Sequence, residues 1–290
     1  MKIFLTGSNG YIGSNFLHKA SSKGHIIYAL TRKKKNKKIK NVKWIIGSID
    51  KKWDELSRSD ILVHLATEGG YEKFPKFKKC FNFNVLKSKK LIENAYNSGC
   101  KKFLIISSKK EKRFKDLNYN LKKIKYYEKK PDYIYGFTKA LFSKFCKDFS
   151  KKREVKFRII RLFHIYGRNE NRKRLWPALI LSAKKNKDFM MSPGSQETDF
   201  NFIDNVVQGL IRSLNFKIKK NKFPQIWEMG SGKKMSVKKF ALIIWKKLNP
   251  KSKIIFSKIK NYDKNSFKIE KNNHWKIKYT HPSLTINSLK

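Results

Sequence analysis

Three glycines near the start of the chain constrain its fold more than any other feature. They occur in the run Thr6-Gly7-Ser8-Asn9-Gly10-Tyr11-Ile12-Gly13, which follows a short apolar segment and precedes a stretch of helical periodicity. In such a strand-turn-helix, the first glycine permits a tight turn, the second lets a pyrophosphate approach the backbone, and the third allows close packing of helix on strand. The N–H groups that begin the helix favour an anion. The run therefore predicts a dinucleotide-binding turn.

Short segments rich in β-branched and aromatic residues alternate with longer amphipathic stretches through the first half of the chain. This alternation is typical of βαβ units and a parallel sheet. The predicted strands are residues 3–6, 25–30, 42–46, 61–66, 103–107 and 157–162. The predicted helices are residues 11–23, a long helix that ends near 97, and 135–149. Right-handed crossovers between these strands predict an α/β fold with a Rossmann-type doubly wound parallel sheet.

The regular alternation of predicted strands and helices ends after Gly167. A turn is predicted at 193–194, a strand at 225–229, and helices at 175–185, 203–214 and 237–248. We therefore expect residues 1–167 to form a dinucleotide-binding Rossmann domain whose sheet is completed by elements near 203–230. Residues 168–290 are expected to form mainly a smaller C-terminal substrate-binding domain.

The formal net charge of +49 would ordinarily indicate a polyanionic partner. The 70 basic residues include only ten arginines, and the lysines are spread from Lys2 to Lys290. A bias of this kind favours a solvated basic surface over a dedicated face for nucleic acid. The lysine-rich runs at 32–38 and 109–130 are accordingly interpreted as exposed loops or helix surfaces.

Three cysteines without metal-ligand spacing indicate free thiols in a reducing compartment. The histidines show no metal-ligand spacing either, so no metal site is predicted. No apolar run approaches the ~18 residues that span a bilayer. The first residues are too short an apolar run for a signal peptide. The chain is therefore predicted to be cytoplasmic and without a membrane partner.

The spacing Gly-x-x-Gly-x-x-Gly resembles that of the extended short-chain dehydrogenase/reductase family, the NAD-dependent epimerase/dehydratase group. Other segments resemble landmarks of this family in the same order along the chain. These segments are Asp50 after Ile46-Gly47-Ser48-Ile49, His64-Leu65-Ala66-Thr67, Asn84, Ile106-Ser107-Ser108, Arg161-Leu162-Phe163-His164-Ile165-Tyr166-Gly167, residues 196–204 and residues 228–232.

The resemblance implies where a dinucleotide would be bound. Asp50 matches the acid that contacts the adenine, the segment after the fourth strand lines the cofactor, and the segment from Arg161 passes the nicotinamide. The implied cofactor-binding residues are Gly7, Asn9, Gly10, Tyr11, Ile12, Gly13, Arg32, Ile49, Asp50, Leu65, Ala66, Thr67, Asn84, Tyr135, Lys139, Phe163 and Ile165.

The family's catalytic pair is Tyr-x-x-x-Lys, and this pattern occurs three times, at Tyr119/Lys123, Tyr126/Lys130 and Tyr135/Lys139. Lys130 precedes Pro131, which disfavours helical geometry at Lys130. The first pair lies in a segment with few apolar anchors. The third pair opens a segment in which Phe137, Leu141, Phe145 and Phe149 recur every four residues, as expected of a helix packed on a sheet. The pattern therefore favours Tyr135 and Lys139.

The chemistry of such a pair is electrostatic. A phenol has a pKa of about 10, and an adjacent ammonium group favours the phenolate, which makes the tyrosine a usable acid and base. In the family the lysine also holds the nicotinamide ribose. The resemblance further implies that Ser108 would hydrogen-bond the reacting sugar oxygen.

The end of the second predicted strand bears on the choice of cofactor. NAD-binding proteins usually place an acid there to accept from the ribose 2′-hydroxyl, whereas an arginine accommodates a 2′-phosphate. This sequence has Thr31 followed by Arg32. The cofactor is therefore expected to be NADP or NAD, with NADP favoured, although Arg32 also begins a basic run of surface character.

The sequence also departs from the family pattern. Dehydratases of the group carry an Asp-Glu pair after the catalytic hydroxyl residue, whereas Lys109-Lys110 follow Ser108, which argues against dehydration. Thr198 replaces the arginine that often precedes Asp199 and meets substrate phosphate, and His164 stands where asparagine is common. Arg168, Arg172 and Arg174 are alternative candidates for phosphate contacts.

These observations favour an enzyme that reduces the 4-keto group of a nucleotide-linked sugar, as in the synthesis of deoxysugars for cell-surface polysaccharides. The alternative is a nucleotide-sugar 4-epimerase, which would use the same residues on tightly bound NAD. A third alternative is a non-catalytic protein that uses the fold and its basic surface to bind nucleic acid. The expected partner is a nucleotide sugar, and the resemblance also implies a homodimer.

Overall fold

The structure of the chain is a computed structural model. It describes residues 1–33, 38–70, 72, 75–114, 121–216, 224–257 and 274–288, with the side chains at 121–124 and 132 left out of the description. The helices are Tyr11–Ser22 (α1), Phe77–Phe81 (α2), Ser88–Asn97 (α3), Leu121–Glu128 (α4), Pro131–Arg153 (α5), Leu175–Lys184 (α6), Ile203–Arg212 (α7) and Val237–Leu248 (α8). A π-helical turn, Asn82–Lys87, joins α2 to α3. Short 3₁₀ segments are Asp54–Leu56, Lys109–Phe114, Pro282–Leu284 and Ile286–Ser288.

The strands lie between these helices. They are Lys2–Thr6 (β1), Ile26–Thr31 (β2), Val42–Ile46 (β3), Ile61–His64 (β4), Lys102–Ser108 (β5), Lys156–Leu162 (β6), His164–Tyr166 (β7), Phe189–Met191 (β8), Glu197–Phe202 (β9), Gln225–Gly230 (β10), Lys234–Ser236 (β11), Ile254–Phe256 (β12) and His274–Lys276 (β13). Two small sheets have the orders β11-β9-β7 and β12-β8.

The central sheet has eight strands in the order β13-β10-β6-β5-β4-β1-β2-β3. The pairs β3–β2, β2–β1, β1–β4 and β4–β5 are parallel. The chain runs outward from β1 to β2 and β3 and then crosses to β4 on the other side of β1, so the strand order reverses there. In open α/β sheets ligands bind at this switch point, beyond the carboxyl ends of the strands. The predicted doubly wound α/β fold is confirmed.

The chain forms two compact units, one made of Met1–Arg161 with Leu210–Trp227 and the other of Leu162–Gly209 with Glu228–Lys290. The core of the first unit is built from strand residues such as Phe4, Leu62 and Phe103, together with helix residues such as Phe142 and Cys146. Burial of these apolar side chains is the main force that holds the helices on the sheet. The assignment of dinucleotide binding to residues 1–167 and of substrate binding to residues 168–290 stays a prediction.

The second unit has its own core of aromatic side chains. Tyr166, Trp176, Phe200 and Phe240 are buried together. The rings of Phe200 and Phe240 stack with centroids 3.9 Å apart and bring β9 against α8. This cluster gives the second unit a hydrophobic interior of its own.

Several element boundaries differ from the sequence predictions. The helix that carries Tyr135 begins one turn earlier, at Pro131, because proline at the first helical position needs no hydrogen-bond acceptor. Of the predicted stripe, Phe145 and Phe149 pack partly buried against the cluster that contains the strand residues, whereas Phe137 and Leu141 belong to a separate cluster. Phe142 and Cys146, which lie off the stripe, are the residues of this helix that are fully enclosed in the strand cluster. Within this helix, the four-residue stripe was therefore only a partial guide to the buried face.

The interpretation of residues 109–130 as exposed was wrong in its first part. Glu111 and Phe114 are buried in the 3₁₀ segment Lys109–Phe114, because Phe114 packs on α5 and Glu111 is hydrogen-bonded in the interior. Residues 115–120 lie outside the described part of the chain, as do residues 34–37 of the other lysine-rich run.

Among the described residues, no helix has both the length and the hydrophobicity needed to cross a bilayer. Within the same part of the chain, no three side chains of His, Cys, Asp or Glu are grouped so that they could hold a metal ion. Cys80, Cys100 and Cys146 are buried free thiols.

Candidate active site

The glycine turn between β1 and α1 lies at the switch point of the sheet. Gly7 has φ +75°, in the left-handed region that favours glycine. A Cβ on Gly7 would lie 2.6 Å from the amide nitrogen of Ala66, and a Cβ on Gly13 would overlap the carbonyl oxygen of Gly7. Gly7 therefore packs tightly against the segment that follows β4, and the start of α1 at Gly13 packs tightly against Gly7. Both contacts agree with the roles assigned to the first and third glycines.

The N-terminus of α1 is suited to an anion. Gly10 is the N-cap residue and no side chain caps the helix, while the first turn contains no acidic residue. The N–H groups of a first helical turn have no partner within the helix, and the helix dipole places positive charge there. Asn9 and Gly10 are exposed, and Tyr11 and Ile12 are half-buried. The residues present therefore fit a dinucleotide pyrophosphate.

Thr31 ends β2 beside this turn. Its side chain is buried, and its hydroxyl accepts a hydrogen bond from Nδ2 of Asn9 and donates one to the carbonyl oxygen of Lys33. The side chain of Arg32 is exposed. At the position that the resemblance assigns to an acid, the chain therefore has a hydroxyl already engaged with the protein, and the next residue is a cation.

A buried histidine, His64, is hydrogen-bonded to Thr6, the residue that precedes the glycine turn. Nδ1 of His64 lies 2.7 Å from the hydroxyl oxygen of Thr6, and its Nε2 lies 3.1 Å from that of Ser88. Ser88 donates its proton to the carbonyl oxygen of Phe83. Nε2 of His64 must therefore carry a proton and donate to Ser88, which leaves Nδ1 to accept from Thr6. Burial, with a smaller effect from the charge of Lys139, lowers the pKa of His64 to about 3, so the ring is neutral.

The loop after β4 is held in place by Asn84. Its Oδ1 accepts from the backbone N–H of Glu68 at 2.8 Å and from the hydroxyl of Thr67 at 3.1 Å. Its Nδ2 donates to the carbonyl oxygen of Glu68 and to the hydroxyl of Thr138 on α5. Leu65, Ala66 and Thr67 are half-buried at the sheet edge. Asn84 therefore positions the loop, and its predicted contact with the cofactor stays a prediction.

The loop after β3 carries the predicted adenine-binding residues. Ile49 is buried, and the carboxylate of Asp50 accepts hydrogen bonds from Ser48 and Lys87. The bond from Ser48 is the largest cause that lowers the pKa of Asp50. Nδ2 of Asn94 on α3 donates to the backbone oxygen of Asp50 at 3.1 Å. The loop is thus fixed, and its contact with an adenine stays a prediction.

Tyr135 and Lys139 lie one turn apart on α5. Lys139 is 3% exposed, and its Nζ donates to the carbonyl oxygen of Ile106 at 2.6 Å. Burial lowers the pKa of Lys139 to about 8, although the carboxylate of Glu111 acts in the opposite direction. The ammonium group is thereby held against the end of β5, next to Ser107 and Ser108.

The Tyr126/Lys130 pair does not share this arrangement. Tyr126 lies on α4, whereas Lys130 lies outside both helices with φ −121° and ψ 87°. Nζ of Lys130 stands 4.3 Å from the ring centroid of Tyr126. Tyr119 lies outside the described residues, and the side chain of Lys123 is likewise not described.

Ser108 ends β5 and is half-buried. Its Oγ accepts from the backbone N–H of Lys110 at 3.2 Å. The segment from Lys109 packs closely on α5, because a Cβ on Gly136 would lie 2.8 Å from the carbonyl oxygen of Lys110. Nζ of Lys110 consequently stands 5.7 Å from the ring centroid of Tyr135. A cation therefore faces the tyrosine from the position where dehydratases of the family carry an acid.

Sequence reasoning missed Glu111, a buried carboxylate three residues after Ser108. Glu111 is 3% exposed and accepts hydrogen bonds from Ser107, from Ser143 at 2.6 Å, and from Nε of Arg161. The one signal in the sequence is an acid within a run of lysines. Its burial depends on α5 and β6, which are distant along the chain.

Phe163 and Ile165, predicted to pass the nicotinamide, belong to the second unit. Phe163 is buried beside Gly230, where a Cβ would lie 3.0 Å from its ring, and Ile165 pairs with Asn201 in the β7–β9 ladder. Asp199 accepts from Oγ of Ser231 at 2.6 Å. Contacts of Phe163 and Ile165 with a cofactor stay predictions.

Two of the three arginines considered for phosphate contacts are paired with acids. Arg168 lies 2.8 Å from Asp204, and Arg174 lies 3.5 Å from Glu170. Burial raises the pKa of Glu170 to about 7. Phosphate binding by Arg168 or Arg174 would therefore compete with an existing carboxylate.

Comparison with known proteins bears on the family of the chain. CDP-abequose synthase from Salmonella muenchen is 27% identical over 264 residues, which cover 89% of this chain and 84% of that protein. GDP-mannose 3,5-epimerase 1 from Oryza sativa subsp. indica is 26% identical over 262 residues, which cover 84% of this chain and 68% of that protein. The solved structure of MoeE5 in complex with UDP-glucuronic acid and NAD has the same fold, with a TM-score of 0.79 at 17% identity and coverage of 100% of this chain and 97% of that one.

The family model described as "NAD dependent epimerase/dehydratase family" matches residues 3–230, a span that includes the glycine turn, Ser108, and the Tyr135/Lys139 pair. The expected resemblance and the expected class of protein are confirmed. The chain is an enzyme that belongs to the NAD-dependent epimerase/dehydratase family.

Proposed function

We propose that this enzyme reduces the 4-keto group of a nucleotide-linked sugar to a hydroxyl group. The observation that carries the proposal is the likeness to CDP-abequose synthase over 89% of this chain and 84% of that protein. This likeness extends well beyond the dinucleotide-binding turn, so it also takes in the part of the chain expected to bind the sugar. Lys109 and Lys110, in place of the acid pair of dehydratases, support reduction over dehydration.

Three side chains carry the proposed chemistry. The hydroxyls of Ser108 and Tyr135 hydrogen-bond the carbonyl oxygen of the sugar, and Tyr135 gives its proton to that oxygen as the alcohol forms. The ammonium group of Lys139 stabilises the phenolate that remains. The reduced nicotinamide, when bound, supplies the hydride to the carbonyl carbon, so the ketone is reduced and the dinucleotide is oxidised.

We further propose NADPH as the favoured reductant. The support is the engaged hydroxyl of Thr31 and the exposed cation of Arg32 at the end of β2. A ribose 2′-hydroxyl would find no carboxylate at this position, whereas a 2′-phosphate would find a guanidinium. The pyrophosphate would lie on the N-terminus of α1, with Gly10 leaving room for it.

Two further expectations belong to the proposal. Residues 168–290 are proposed to supply most contacts to the nucleotide sugar, and the enzyme is proposed to be a homodimer. Analytical ultracentrifugation of the purified enzyme checks the second expectation, and a single sedimenting species of about 34 kDa contradicts it, since the chain has a mass of 34.4 kDa.

The reductase proposal is tested with purified enzyme and a panel of 4-keto deoxysugars linked to CDP, dTDP, GDP or UDP. We expect oxidation of NADPH, followed by absorbance, in equal amount to an alcohol product identified by NMR. The epimerase alternative predicts stoichiometric dinucleotide bound from purification, interconversion of sugars at C4, and no net oxidation. The non-catalytic alternative predicts oligonucleotide binding that survives physiological salt and does not depend on the hydroxyl of Tyr135.

A further inference from the structure

The buried carboxylate of Glu111 has no part in the reduction as described above. It is nonetheless hydrogen-bonded from three separate elements. Ser107 lies on β5, Ser143 on α5 and Arg161 on β6, and each donates to the carboxyl oxygens of Glu111. Accepting from three donors is the hydrogen-bonding pattern of an ionised carboxylate. Glu111 therefore joins the end of β5 to α5 and β6 through one buried negative charge.

The same contacts surround the proposed catalytic residues. Tyr135, Lys139 and Ser143 occupy one stripe of α5 at intervals of four residues, which places their side chains on the same face. Ser107 immediately precedes Ser108, and Lys139 is bonded to the carbonyl oxygen of Ile106, one residue earlier. Glu111 thus binds the neighbours of both Ser108 and Lys139.

The charges near Lys139 show what Glu111 contributes. In the part of the chain that the structure describes, the titratable groups that influence Lys139 include Glu111 from the 3₁₀ segment and Cys146 from the same helix, and the charge of Lys139 in turn lowers the pKa of His64 on β4. His64 is neutral, and burial raises the pKa of the Cys146 thiol. Arg161 adds a second cation, paired with Glu111. Among these groups Glu111 supplies the negative charge that offsets the buried ammonium.

We propose that Glu111 is a positioning residue that keeps Lys139 protonated and holds Ser108 at a fixed place beside Tyr135. The inference rests on the proposed function, because it assigns Lys139 to the nicotinamide ribose and to the phenolate of Tyr135. Glu111 itself touches neither substrate nor cofactor in this scheme. It acts through the residues to which it is bonded.

The test is the pH dependence of dinucleotide affinity, measured by calorimetry without any sugar. In the wild-type enzyme affinity is expected to fall as Lys139 loses its proton near pH 8. Glu111→Gln removes the offsetting charge, which lowers the pKa of Lys139. The fall in dinucleotide affinity is therefore expected at a pH at least about one unit lower than in the wild type. At pH 6, where Lys139 is protonated in both enzymes, the two affinities should agree within about threefold.

Two variants separate charge from packing. Glu111→Asp keeps the charge and should restore a profile close to that of the wild type. Asp148→Asn removes an exposed carboxylate from the same helix, where it pairs with Lys144 at 3.2 Å, and should change nothing. Should Glu111→Gln fail to fold, the double variant with Arg161→Gln removes the unpaired guanidinium as well. A smaller shift of the same sign is expected, because Glu111 acts more strongly on Lys139 than Arg161 does.

Superimposable pH profiles of wild type and Glu111→Gln, whether sloping or flat, overturn the inference. A shift that Asp148→Asn reproduces overturns it as well, because the effect would then be one of total charge. Failure of the reductase proposal is distinguishable, since that proposal is scored with 4-keto sugars and this experiment contains only the dinucleotide.

Discussion

The carbonyl oxygen of Gly7 occupies the space that a side chain on Gly13 would need. Gly10 differs from both, because its φ of −74° is open to any residue and a Cβ there would lie 3.2 Å from the same oxygen. The protein's own geometry therefore requires glycine at Gly7, through its left-handed backbone, and at Gly13, through packing, but not at Gly10. Gly13 is required by packing within the protein, whereas the proposed reason for Gly10 is the approach of a pyrophosphate.

Alanine substitutions at Gly13 and Gly10 should therefore have different effects. Gly13→Ala is expected to lower the free energy of unfolding by about 1–3 kcal/mol, since backbone must move to admit the methyl group. Gly10→Ala should leave the unfolding temperature nearly unchanged and weaken dinucleotide binding about tenfold or more. Thermal unfolding and calorimetry on the two variants measure both quantities. Equal loss of stability in the two variants would contradict the distinction.

Tyr135→Phe should remove the proposed proton donor and leave the fold intact. Turnover with a 4-keto nucleotide sugar is expected to fall about 100-fold or more, because general acid catalysis contributes at least this much. Dinucleotide affinity should stay within about twofold, since the variant keeps the ring and Lys139. Tyr126→Phe, on the exposed face of α4, is the matched control. If Tyr126→Phe or Tyr119→Phe proved the damaging change, the choice of pair would be wrong.

Arg32→Ala should change the preference between the two dinucleotides. We expect affinity for NADPH to fall about tenfold and affinity for NADH to change little, because only the 2′-phosphate would meet the guanidinium. Fluorescence titration with each reduced dinucleotide measures the ratio. Arg58→Ala, which removes another exposed arginine, is the control. An equal loss of affinity for both dinucleotides would show that Arg32 does not distinguish a 2′-phosphate from a 2′-hydroxyl.

His64 should make the protein less stable in acid. The pKa of His64 is about 3 in the folded protein and near 6.5 in the unfolded chain, so the unfolded chain binds more protons between these values. Its contribution to stability is therefore present above pH 6.5 and is lost as pH falls towards 3, by about 1.4 kcal/mol per pH unit. Chemical denaturation at pH 4–7 of wild type and His64→Gln measures the slope, which should be shallower in the variant. The exposed His18→Gln controls for loss of an imidazole, and an unchanged slope in His64→Gln would contradict the prediction.

Much of the fold and part of the site could be predicted from local sequence. The glycine turn, the alternation of strands and helices, and the placement of Tyr135 and Lys139 on one helix all depend on residues close together in the chain. Left-handed backbone at Gly7 and the helical spacing of the tyrosine and lysine follow from sterics and from 3.6 residues per turn. Pro131 likewise separated Lys130 from the helix that follows, as its ring dictates.

Only the tertiary structure decided which polar side chains became buried and bonded. Arg161 meets Glu111 across 50 residues of sequence, and Thr6 meets His64 across 58. Glu111 is buried because α5 and β6 pack around it. The positions of these two elements in space cannot be inferred from the spacing of residues in the sequence. Local sterics and helical spacing act between near neighbours in the chain, whereas burial and electrostatic pairing act between neighbours in space. Local sequence was therefore enough to predict the helix that carries Tyr135 and Lys139, and only the folded chain decided which charged side chains surround it.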